Sequence, residues 1–68
     1  MWLDMNINNI DFQKSIIEKS NINNLLTIRD IWILKRSKLK ELGFNDKEIK
    51  EIIVKLQLKG YDLNRKKY

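Results

Sequence analysis

The 68-residue chain has no cysteine and no histidine. Their absence removes disulfides, thiolate and imidazole metal ligands, Cys and His nucleophiles and the usual general base, so the chain is read as non-enzymatic, with no cofactor and no metal. Glycine occurs only at positions 43 and 60, and no glycine-rich loop is available to cradle a phosphate. The longest unbroken apolar run is Ile31-Trp32-Ile33-Leu34, far short of the roughly 20 residues that span a bilayer. No basic segment followed by an apolar one resembles a signal peptide, and the expected location is cytoplasmic. Alanine and proline are missing too, while isoleucine and lysine occur eleven times each and asparagine eight times. That usage is typical of an A+T-rich genome, in which lysine is the default surface residue, so the net charge of +5 is discounted as a functional signal.

What charge there is lies unevenly. Residues 1–34 carry three bases against four acids, and residues 35–68 carry eleven against five, giving −1 and +6. A basic C-terminal half of this kind is one mark of a polyanion-binding surface. The length places the chain near the size at which one hydrophobic core only just offsets the entropy of ordering, so an oligomer or a partner would help it.

The stretch from Leu39 to Gly60 organises the rest. Asn45 is a good N-cap and Glu48 follows three residues later, the spacing of a capping box, with Phe44 and Ile49 at the staple positions. Gly43 and Gly60 each follow an apolar periodic run, where a helix C′ residue takes up positive φ. The spacing predicts the end of one helix, a tight turn and a second whole helix. Upstream, Thr27 and Asp30 form a similar capping pair, and Leu26 with Ile31 repeats the staple. Ile28, Ile31, Trp32, Leu39 and Leu42 project onto one stripe. Lys35 falls inside that stripe, so either its stem lies across the core edge or the helix breaks near Ser37; the continuous helix is preferred. Phe12, Ile16 and Ile17 share a face, with Lys14, Glu18 and Lys19 turned to water. Asn21-Ile22-Asn23-Asn24 ends that first helix.

The expected fold is therefore all-α, a small three-helix bundle with a helix-turn-helix unit and helices near 9–20, 28–42 and 46–59. One domain would span 1–63 with an irregular N-terminal arm over 1–8, from which Trp2 and Leu3 tuck into the body. Residues 64–68 would form a short basic tail.

The unit Leu39–Gly60 resembles one helical repeat of the RecX family, in which two helices meet at a Gly-aromatic turn similar to Gly43-Phe44. Ile49, the apolar Ile52, Ile53 and Leu56, and the second glycine at Gly60 fit the same pattern. Similar turns occur in ubiquitin-associated domains, winged helices and the C-terminal domain of the RNA polymerase α subunit. The resemblance implies a helix-turn-helix geometry; because RecX proteins bind RecA filaments on DNA, it also implies work near nucleic-acid machinery.

Two functional readings follow. In the first, Lys35, Arg36, Lys38 and Lys40 form a ridge of cations that Lys47, Lys50 and the tail residues Arg65, Lys66 and Lys67 extend, and phosphates are its ligands. Glu48 and Glu51 count against it, since acids on the recognition helix repel phosphates. The competing bland reading is a solvated face whose lysines pair with Glu41 and Glu51. In the second functional reading, the spare apolar residues Ile33, Val54, Leu58 and Tyr61 anchor a protein partner or a second copy of the chain. The expected function is a small regulatory protein binding DNA or a complex on DNA, with the protein-binding adaptor or inhibitor as the alternative.

Overall fold

The computed structural model describes residues 1–63. Its helices are α1 (Lys14–Ile22), α2 (Ile28–Trp32), α3 (Arg36–Glu41) and α4 (Asp46–Leu58), preceded by 3₁₀ turns at Trp2–Asp4 and Ile7–Asn9. The all-α class expected from the sequence holds. Both capping boxes form. Asn45 Oδ1 accepts the Glu48 N–H at 2.8 Å while Glu48 Oε1 accepts the Asn45 N–H at 2.8 Å. Thr27 and Asp30 exchange the same pair of bonds more loosely, at 3.4 and 3.0 Å.

Three of the four helices end in one motif. In each, the residue after the C-cap has positive φ, and the two N–H groups beyond the cap reach back to carbonyls of the last turn. At α3 these are Gly43 to Lys40 and Phe44 to Leu39; at α4, Gly60 to Gln57 and Tyr61 to Leu56; at α1, Asn24 to Asn21 and Leu25 to Ser20. Asn24 takes the left-handed position at φ 59°, which its short polar side chain tolerates better than most. The apolar residue that follows each positive-φ position then turns back onto the body: Leu25 and Phe44 are buried and Tyr61 is half-buried.

The helix expected over 28–42 is two helices. After Trp32 the Leu34 N–H bonds to the Ile31 carbonyl, one residue short of helical reach, and Lys35 is extended at ψ 156° as the N-cap of α3. The physical reason lies in the stripe itself. A continuous helix would hold Lys35 among buried residues, whereas the break leaves Lys35 exposed and lets Leu34 pack against the core. Ile28, Ile31, Trp32 and Leu39 are buried all the same.

α1 starts at Lys14 rather than near residue 9, because the backbone at Ile10 and Gln13 is non-helical, with ψ 146° and 147°. The Glu51 carboxylate of α4 accepts both the Gln13 N–H, at 2.9 Å, and its side-chain amide, at 2.8 Å. An acid from another helix thus sits at the N-terminus of α1, where negative charge is favoured. At the other end of α1 the Asn23 amide donates to the Lys19 and Leu42 carbonyls, tying α1 to the end of α3. The staple expected of Leu26 goes unmade. Its N–H and C=O are bound by Asp30 and Ile7, its side chain stays 53 % exposed, and Leu25 fills the interior instead.

The N-terminal arm is pinned rather than loose. Ile7 N–H bonds to the Leu26 carbonyl and Ile28 N–H to that of Met5, an isolated antiparallel bridge. Leu3 and Ile7 are buried, joining Ile16, Ile28, Ile31, Leu39, Ile52 and Leu56 in one core. Burying each such side chain contributes about 1.5–3 kcal/mol relative to leaving it in water. Tyr61 ties the N-terminal arm to α2: its ring stacks on Trp2 at 6.2 Å and meets Trp32 edge-on at 5.6 Å. The Trp32 indole N–H donates to the Asp62 carbonyl at 2.8 Å.

Candidate nucleic-acid interface

The core-facing residues of α4 determine what its other faces can present. Ile49, Ile52 and Leu56 point inward, so Lys47, Lys50, Val54 and Leu58, all exposed, form the outer face at helical spacing. The acids expected to repel phosphate are engaged by α1 and its N-cap residue. Glu48 is 2 % exposed, and its Oε1 accepts the Lys19 ammonium of α1 at 2.6 Å. Glu51 is half-buried and engaged by Gln13. Two residues that read as surface acids in the sequence, and Lys19, which read as solvated, are thereby joined across α1 and α4.

Glu48 is also the titratable group whose chemistry the fold changes most clearly. Burial alone would raise its pKa. Hydrogen bonds from Lys19, the Ser15 hydroxyl and the Asn45 N–H, with the Lys19 charge, outweigh that and hold the carboxyl below its ordinary value. Its Oε2 is buried and meets no hydrogen-bond donor among the described residues. This is the environment of a structural ion pair. Among the described residues no three of His, Cys, Asp and Glu converge to hold a metal ion.

The cations expected at the interface fall on α3 and the first half of α4. Lys35, Arg36, Lys38, Lys40, Lys47 and Lys50 are all exposed. Lys38 lies 3.7 Å from Glu41 and Lys40 lies 3.0 Å from Asp46. Both are solvent-exposed pairs, which cost little to exchange for another anion. Among the described residues Lys35, Arg36, Lys47 and Lys50 have no carboxylate within 4.0 Å. Glu51, offered by the sequence as a lysine partner, is occupied by Gln13.

Arg36 and Lys50 line a groove of about 350 Å³ between α3 and α4, together with Ile49, Ile53 and the acid Asp46. The groove brings a guanidinium from one helix and an ammonium from the other to a single opening. Arg65, Lys66 and Lys67 lie outside the described residues.

The apolar candidates are dispersed. Val54 and Leu58, 44 % and 79 % exposed, stand one turn apart on α4. Ile33, 41 % exposed, lies on another element, at the α2–α3 break. Tyr61 is half-buried between Trp2 and Trp32 and serves the packing of the arm. No helix among the described residues is long and apolar enough to cross a membrane.

Comparison with known proteins returns nothing: no family model, no curated protein and no solved structure matches this chain.

Proposed function

We propose that this chain is a small non-enzymatic regulatory protein that binds DNA, or a protein complex on DNA, through the outer face of α3 and the first half of α4. The observation that carries the reading is the segregation of charge on α4. Lys47 and Lys50 face water without acidic partners, while Glu48 and Glu51 are drawn in against α1. Arg36 and Lys35 extend the surface onto α3, and Lys38 and Lys40 add two cations held only by exposed acids. Phosphate contacts by such a set give affinity without base reading. The likeness of Leu39–Gly60 to a RecX repeat points the same way.

The test is a fluorescence-anisotropy titration of a labelled mixed-sequence duplex with the wild-type protein and with the Arg36→Glu/Lys50→Glu variant. Loss of two phosphate contacts lowers the slope of log affinity against log salt by about 1.8 and weakens binding at every salt concentration. A Val54→Ser/Leu58→Ser variant keeps wild-type affinity. Unchanged affinity and slope in the charge-reversed protein contradict the proposal.

The exposure of Val54 and Leu58 on one face supports a second reading, docking of a protein partner or of a second copy along the C-terminal half of α4. The serine variant separates the two: it abolishes docking and spares the duplex.

A further inference from the structure

A second groove, of about 460 Å³, lies on the opposite flank of α4 from the Arg36–Lys50 opening, between the N-terminal arm and the last turns of the helix. Its walls are Trp2, Met5, Ile10 and Leu58, and Lys55 and Lys59 stand along its α4 side. We propose that this groove docks an acidic amphipathic helix of a partner protein. The inference rests on the protein-docking reading and is independent of the duplex-binding one, because it shares no residue with the cationic face.

Three features argue for that occupant. Leu58 is 79 % exposed and Met5 40 % exposed beside the half-buried Trp2, an apolar surface that a phosphate backbone does not complement. The charge beside it is positive. Lys55 and Lys59, one turn apart, have no carboxylate partner among the described residues, and the one acid at the groove, Asp11, offsets a single charge. Apolar side chains in the groove with carboxylates along the α4 side match that arrangement, as in helix-in-groove recognition. Finally, the wall is preformed. The Trp2 ring is stacked on Tyr61, and the Lys59 ammonium lies 5.9 Å from its centroid. Lys55 bonds to the Asp11 carbonyl and lies 5.3 Å from the Phe12 centroid, so the arm side and helix side are already joined. A preformed site loses less freedom on binding, and Met5 supplies an adaptable surface within it.

The experiment uses the full chain, isotopically labelled, and a synthetic peptide of about 15 residues with Leu at i, i+3, i+4 and i+7 and Glu elsewhere. Saturable chemical-shift changes at Trp2, Met5, Ile10 and Leu58 are expected. A matched peptide with Lys in place of Glu binds at least ~10-fold more weakly. Leu58→Glu weakens the acidic peptide at least ~10-fold with an unchanged circular dichroism spectrum, and Arg36→Glu/Lys50→Glu binds it as wild type does. No shift up to millimolar peptide, or equal binding of the basic peptide, overturns the proposal. Shifts confined to Ile33 and Val54 overturn the groove while leaving the protein-docking reading standing. Concentration-dependent shifts at the groove without peptide, lost in Leu58→Glu, overturn it in favour of a second copy of the chain.

Discussion

The Glu48–Lys19 pair is the interaction most open to a quantitative test. Glu48→Gln keeps the side-chain shape and an acceptor for the Asn45 N–H, so the capping box survives, but it removes the charge facing Lys19. A hydrogen bond to a charged group contributes about 1.5–3 kcal/mol. Because the Lys19 side chain is 32 % exposed, water recovers part of that, and a loss of about 1–2 kcal/mol remains. At about 4–8 °C per kcal/mol for a domain of this size, Tm falls by roughly 4–16 °C. Lys19→Met leaves a buried carboxylate unpaired and costs more, about 3 kcal/mol. In the Lys19→Met/Glu48→Gln double variant neither partner is left stranded, so its loss is smaller than the sum of the single losses by about 1 kcal/mol or more. Thermal and urea unfolding followed by circular dichroism measures all four proteins. The folded-state pKa of Glu48 lies below the unfolded one, so the stabilisation it carries is present above the unfolded value, about 4.3, and is lost as pH falls through the folded value. The gap between wild type and Glu48→Gln therefore closes in acid. A Gln variant as stable as wild type at pH 7, or a gap that persists unchanged at about pH 2, refutes the assignment of the ion pair.

Other perturbations follow from the helix ends and the aromatic cluster. Gly43 has φ +103° and open space where a Cβ would go, so Gly43→Ala costs about 1–2 kcal/mol through backbone strain alone, read as a lower urea midpoint. Asn24→Gly, at φ 59°, leaves stability within about 0.5 kcal/mol, whereas Asn24→Val lowers it by more than 1 kcal/mol, roughly, in the same assay. Trp32→Phe removes the indole N–H bond to Asp62 and costs about 1–3 kcal/mol, with earlier amide exchange around residues 61–63 as its local signature.

The helix ends show what local sequence can and cannot disclose. Asn45 with Glu48 and Thr27 with Asp30 sit at capping spacing, and Gly43, Gly60 and the Asn21–Asn24 run mark three C-termini; all are local signals, and all are found in the structure. The missed end was that of α2. It has no glycine or asparagine and no positive φ, and the apolar stripe from Ile28 to Leu42 keeps its register across the break. Lys35, out of place in that stripe, was the available clue. The late start of α1 was invisible for a different reason: its anchor, Glu51, is 38 residues from Gln13. The candidate site divides the same way. The cations are legible as a run, but the engagement of Glu48 and Glu51 depends on Lys19 and Gln13, which pattern on one helix cannot reveal.

In the proposed function the outer face of α3 and the first half of α4 contacts phosphates. The most direct measurement is the affinity of the wild-type protein for a mixed-sequence duplex at about 50 and 200 mM salt. Four cations without acidic partners, each making one phosphate contact, give a log–log slope of about −3.6 and a roughly 150-fold weakening between the two conditions. A steeper slope brings in Lys38, Lys40 or the bases of 64–68. Absence of binding at the lower salt, or an affinity indifferent to salt, contradicts the account.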